Sequence, residues 1–145
     1  MQKHKIQRDV RVEHCFHTRE RGYTSQVVHL DLAGPMPETK EGYKFILGIA
    51  DHFSSFVMAI AIKGKTHEEV TEAFSNNWNY RIGPPEVLVS DNEFVSQEVQ
   101  SMCKALNIRH EPTPTYNPRS NGQIERQFHT LKELLRAATR GLEQD

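Results

Sequence analysis

Three acidic residues, Asp31 in VVHLDLAGP, Asp91 in VLVSDNEF and Glu125 in YNPRSNGQIERQ, carry the chemistry this chain advertises. The first two end or interrupt short β-branched runs, and the third sits one turn into an amphipathic helical pattern that follows a loop rich in Pro, Asn and Gly. Acids this far apart in sequence meet only through the fold. Brought together, they repel one another and are driven to protonate unless a divalent cation supplies compensating charge. A ligand set of oxygens, with no Cys or His beside it, favours magnesium or manganese over zinc. Two such ions a few ångströms apart are a general device for in-line attack on a phosphodiester. The residues therefore point to a polynucleotidyl transferase or nuclease whose three acids converge at a sheet edge.

The elements that must position these acids can be read from periodicity. Val28, Leu30 and Leu32 alternate with Val27, His29 and Asp31, so Ser25 to Leu32 reads as a strand with Asp31 opposite the main apolar row. Lys44 to Asp51 and Phe56 to Ile62, joined by HFSS, predict an antiparallel meander. Asp51 is expected to cap the turn before Ser54 rather than to bind metal. Thr66 and Glu69 form a capping box, and Val70, Ala73, Phe74 and Trp78 continue an apolar stripe as far as Gly83. Glu86 to Ser90 reads as a strand delivering Asp91 at its C-terminal end, the usual place for sites in open α/β sheets. Ser96 caps a further helix with Val99, Met102, Cys103 and Leu106 on one side, and Ile108 to Glu111 adds a last strand.

In the final helix Ile124, Phe128, Leu131, Leu135 and Ala138 should face the sheet. Glu125, His129, Lys132, Arg136 and Arg140 form a second stripe, a solvated face supported by a Glu125–His129 pairing. The loop from Thr115 to Gly122 runs into this helix, and its Tyr116, Arg119 and Asn121 offer a stacking face and donors to bases or phosphates.

The 145 residues fit one folded unit, residues 25–145, preceded by an arm or linker at 1–24. The arm carries Lys3, Lys5, Arg8, Arg11, Arg19 and Arg21 but no apolar face to bury. A net charge of −1 and a pI of about 6.7 are unlike a domain dedicated to coating nucleic acid. Cys15 and Cys103 have no close pairing, which suits a reducing compartment. His14, Cys15 and His17 fall short of a zinc site, which needs about four ligands. No stretch approaches the roughly 18 apolar residues of a membrane span, and no signal peptide is visible, so a soluble intracellular protein is expected.

The four ordered pieces HLDLAGPMP, GYKFILGIADHFSSF, RIGPPEVLVSDNEFVS and PTYNPRSNGQIERQFHTLKELLRA also resemble the catalytic core of integrases from retroviruses and gypsy-type LTR retrotransposons, from Val27 to about Ala138. The resemblance implies a ribonuclease H-like fold, a mixed five-stranded sheet flanked by helices. It implies that Asp31 with Asp91 and Asp31 with Glu125 hold two Mg2+ or Mn2+ ions, and that DNA strands are transferred into a host duplex. To the contacts with DNA it adds His129 and Lys132, at positions that meet the DNA end in the family. Further implied are a homodimer or higher oligomer, with apolar surface near Trp78 and the end of the last helix, and a place in a nuclear integration complex after a cytoplasmic particle. The family's zinc domain and C-terminal DNA-binding domain are expected to lie outside this chain.

Two other readings remain at this level: a ribonuclease H-like nuclease, and a host-adopted or inactive module that binds DNA or protein. The GPMP, NEF and SNGQ-x-E pieces favour the integrase over the nuclease. The spacing favours the inactive module, because 33 residues separate Asp91 from Glu125 (125 − 91 − 1), about two fewer than the family pattern. The loss falls in the turn after Asp91, where a displaced carboxylate would spoil metal geometry.

Overall fold

The computed structural model describes residues 22–91, 96–111 and 118–143, the last stretch with side chains for 122–140. Strands β1 (Val27–Ala33), β2 (Phe45–Asp51) and β3 (Val57–Ile62) are followed by helix α1 (His67–Phe74), which continues as a π-helical turn over Ser75–Asn79. Then come β4 (Val87–Val89), α2 (Gln97–Ala105), β5 (Arg109–Glu111) and α3 (Pro118–Glu143). This is the element order expected from periodicity. The five strands form one sheet in the order β3-β2-β1-β4-β5. The first three pair antiparallel, whereas β4 runs parallel to both β1 and β5.

Strand alternation divides the core between two faces. Val28, Leu30, Leu47, Ile49 and Leu88 pack on one face against Val70, Phe74 and Trp78 of the first helical segment and Val99 and Cys103 of α2. The Thr66 hydroxyl accepts from the Glu69 N–H while the Glu69 carboxylate accepts from the Thr66 N–H, so the expected capping box starts α1. Ser96 caps α2 by accepting from Val99. Cys103 is a small core residue, its thiol pushed up to about 11 by burial.

The opposite face is built from small residues. Gly48, Ala50 and Ala59 lie there, and Ile124 and Phe128 of α3 settle onto it. The expected apolar stripe of α3 is correct only for its first part: Leu131 and Leu135 are half-buried and Ala138 is exposed. Length explains the difference, since 26 helical residues extend about 39 Å, farther than a strand of seven at about 23 Å. Helix α3 therefore overhangs the sheet.

The N-terminus of α3 also departs from expectation. The helix begins at Pro118, so the segment expected to remain a loop as far as Gly122 is already helical from Pro118 onward. Proline suits a first helical position because its fixed φ is preorganised and its missing N–H is not needed there. Gly122 is accommodated within the helix at a cost of about 1 kcal/mol.

Trp78, the last residue of the expected apolar stripe, is fully buried and donates from Nε1 to Ser25 Oγ at 3.1 Å, while Phe56 and Tyr80 beside it are exposed apolar side chains. Its aromatic bulk fills the space between the π-helical turn and the start of β1. The exposed large apolar side chains among the described residues are Tyr43, Phe56, Tyr80 and Leu134.

Candidate active site

The parallel pairing of β1 with β4 sets the frame. Val27 pairs with Val87 and His29 with Val89, so Asp31 and Asp91 each lie four residues beyond a paired position. Even spacing keeps both acids on the α3 side of the sheet. Asp31 still lies within β1, opposite Gly48 of β2, whereas β4 has ended before Asp91. The two chains separate there, and the opening between them is a cleft of about 300 Å3.

That cleft is lined by Asp31, Asp91 and Glu125, together with His29, His129 and Lys132. It thus gathers the three acids read from the sequence and two of the five expected DNA contacts. Tyr116 lies outside the described residues, as do the side chains of Arg119 and Asn121.

The two oxygens of Asp31 are both engaged. Oδ1 accepts from the Leu32 N–H at 2.9 Å, and Oδ2 lies 2.6 Å from Lys132 Nζ. His129 pairs with Glu133 at 3.2 Å rather than with Glu125. Both positions are one helical turn from His129, and the imidazole pairs with the later one while still lining the cleft. Glu125 and Asp91 are exposed at the cleft.

The donor set suits a hard divalent cation: three carboxylates, no thiolate, and an ammonium standing against one of them where positive charge is wanted. The acids line one cleft without closing on a common point. Among the described residues no three His, Cys, Asp or Glu side chains are near enough to share an ion.

Several supporting groups carried no motif. His29 Nε2 and His52 Nδ1 share a 2.9 Å hydrogen bond, and their rings stack with centroids 5.2 Å apart. Burial, with a smaller contribution from the charge of His52, lowers the His29 pKa to about 4. A neutral, rigid ring therefore floors the cleft two residues before Asp31. Its place on the Asp31 face was legible from alternation, but its partner was not.

At the end of β4 the Ser90 hydroxyl meets His110 Nε2 at 2.6 Å, and the Ser90 N–H donates to the Glu111 carbonyl. Burial lowers the His110 pKa, disfavouring the charged form of that imidazole as well. The residue next to Asp91 is thereby tied to β5. On the helix side, Gln123 and Gln127 donate to Ser55 Oγ and to the Ser55 carbonyl, fastening α3 to the β2–β3 turn.

Asp51 plays the structural role expected of it. Its fully buried carboxylate accepts from the Ser54 N–H and from the Ser25 N–H, both at 2.7 Å. Ser25 adopts a left-handed φ of 65°, uncommon without glycine. Its hydroxyl donates to the Gly83 carbonyl as well as accepting from Trp78, so the conformation is held from three sides.

Comparison with known proteins agrees with this geometry. The family described as "Integrase core domain" matches residues 24–118, a span that includes Asp31 and Asp91 and ends before Glu125. The Pol polyprotein of Radiation murine leukemia virus (strain Kaplan) is 41% identical over 100 residues, covering 68% of this chain and 17% of the polyprotein. The crystal structure of the catalytic core domain of BIV integrase superposes with a TM-score of 0.62 at 27% identity, over 81% of this chain and 72% of that one. The HTLV-2 integrase catalytic core domain in complex with magnesium, in a trimeric form, gives a TM-score of 0.59 at 26% identity, over 79% and 71% of the two chains. The sheet and its helices are accordingly a ribonuclease H-like fold.

Proposed function

The chain belongs to the integrase core domain family, and on that premise we propose that it is a metal-dependent polynucleotidyl transferase that joins element DNA to host DNA. The observation that carries this reading is the single cleft lined by Asp31, Asp91 and Glu125 from three separate elements. These residues would hold two Mg2+ or Mn2+ ions, Asp31 contributing to both. When bound, such ions supply an activated oxygen nucleophile and stabilise the leaving oxygen.

The chain's own residues do the rest. Asp31 is aimed by its Leu32 N–H bond, and Asp91 by the anchoring of Ser90 to β5. Glu125 is carried in by a helix seated on Gly48 and tied to Ser55. His129 and Lys132, on the cleft side of α3, are suited to hold a phosphate backbone. Tyr116, Arg119 and Asn121 extend that DNA-binding role from the segment leading into the helix and its first turn.

The match spans only a small part of the viral polyprotein, so paired insertion of two DNA ends belongs to a larger assembly, a homodimer or higher oligomer acting in the nucleus. Within such a protein residues 1–24 serve as a basic arm and residues 25–145 as the catalytic core.

The test is reversal of strand transfer on a branched DNA. Activity should require Mg2+ or Mn2+ and disappear in Asp31→Asn, Asp91→Asn and Glu125→Gln while the variants stay folded. It should also weaken as salt rises, because phosphate contacts are screened.

A second reading, an inactive module that only binds DNA or protein, draws support from the 33-residue interval between Asp91 and Glu125, about two residues short of the family pattern. Binding of branched DNA without cutting or joining by either metal, with turnover restored by two residues added after Asp91, would establish it.

A further inference from the structure

Lys132 holds the carboxylate that the metal reading needs most. Its ammonium lies 2.6 Å from Asp31 Oδ2, and the pair is partly sheltered, the two side chains being 31% and 19% exposed. The other oxygen, Oδ1, is occupied by the Leu32 N–H of the same strand. An entering cation competes with the ammonium for Oδ2, because two positive charges held at one oxygen repel each other. Lys132 itself is tethered to α3, seven residues beyond Glu125, or about 10 Å along the helix axis. Once released it stays at the rim of the same cleft with its charge unspent.

Resting on the metal-dependent reading above, we propose that Lys132 and the metal are alternating counter-cations for Asp31. Metal entry at Asp31 liberates the Lys132 ammonium for a DNA phosphate, and a phosphate that draws Lys132 away opens Asp31 to the metal. The two ligands then bind with positive linkage, each raising affinity for the other by the same factor. Lys132 is a positioning residue in this scheme. It holds the Asp31 carboxylate in place through the 2.6 Å contact and hands it over only when DNA or metal arrives.

Linkage separates this role from simple electrostatics. Any cation near the cleft weakens metal binding through space, but only a group seated on Asp31 must be physically exchanged. Arg136 lies one turn farther along α3 and is exposed, so its neutralisation removes the same unit of charge without touching Asp31.

The experiment measures free Mn2+ by electron paramagnetic resonance during titration of the whole chain, a readout independent of turnover. Wild type, Lys132→Met, Lys132→Arg and Arg136→Gln are compared, with and without a short DNA duplex, and circular dichroism confirms that each is folded. Lys132→Met should bind Mn2+ about three- to tenfold more tightly than wild type. Arg136→Gln should change affinity by less than about twofold, and Lys132→Arg should stay near wild type. The duplex should tighten Mn2+ binding in wild type and much less in Lys132→Met. Equal Mn2+ affinity in wild type and Lys132→Met, or equal gains in Lys132→Met and Arg136→Gln, overturns the exchange while leaving an Asp31-dependent metal site standing. No Mn2+ binding in wild type and Lys132→Met alike, or binding unaffected by Asp31→Asn, removes the metal reading and the exchange with it.

Discussion

Phe128 lies so close to Gly48 that a β-carbon on the glycine would stand 2.7 Å from the Phe128 ring. Gly48 is also the residue opposite Asp31 in the β1–β2 ladder. The bare backbone at one strand position therefore sets the height of α3 above the sheet, and with it the distance from Glu125 and Lys132 to Asp31.

Gly48→Ala should accordingly destabilise the protein by about 1–3 kcal/mol, the usual cost of overpacking. Phe128→Leu combined with Gly48→Ala should recover part of that loss. A double-mutant cycle on urea unfolding measures the coupling, and additivity within about 0.5 kcal/mol would mean that the two residues do not meet.

The three acids should each be needed for metal-linked stability. At a Mg2+ or Mn2+ concentration one hundred times the dissociation constant, wild type should gain about 2.7 kcal/mol of unfolding free energy. Asp31→Asn, Asp91→Asn and Glu125→Gln keep their size but lose the charge, so their melting temperatures should respond far less to metal. A full metal response in any one of them removes that residue from the ligand set.

Stability should fall with acid in a window set by His29. Its pKa is about 4 in the fold against 6.5 in a free imidazole, because burial disfavours the charged ring. Between those values the unfolded chain binds the extra proton, so His29 favours folding fully above pH 6.5, and this contribution is lost as pH drops toward 4. The loss should reach about 3 kcal/mol, with His110 adding in the same direction. Denaturant midpoints from pH 4 to 7.5 should show the slope, and His29→Gln should flatten it.

Asp51→Asn should cost about 2–4 kcal/mol, since an amide oxygen accepts from only one of the two N–H groups well while its NH2 confronts the other. Amide exchange at Ser25 and Ser54 should accelerate beyond the change explained by global unfolding. Unchanged protection at both would show that the carboxylate charge is dispensable there.

Much of this was legible because it follows from local signals. Alternation placed Asp31 opposite Val28 and Leu30, and Thr66 with Glu69 announced a helix start that formed as read. What escaped depends on the distant partner. The sequence shows a row of cations on α3, but that Lys132 meets Asp31 is settled by where the helix lands. Trp78 was legible as part of the apolar stripe that continues past α1, but its hydrogen bond to Ser25, 53 residues away, was not. Gly48 carried a faint signal, a glycine inside an apolar strand, which often marks a close backbone approach.

The register of β1 on β4 makes the two aspartates sensitive to chain length on one side only. Asp91 is aimed by what precedes it: Val87 to Val89 paired with both neighbouring strands, then Ser90 bound to β5. A single residue inserted between Val87 and Asp91 would turn the acid to the opposite face of the sheet, as would one between Val27 and Asp31. Residues gained or lost after Asp91 shift no such phase. Length changes upstream of either aspartate should therefore reverse the face that the acid occupies, whereas the 33-residue interval to Glu125 leaves that face unchanged.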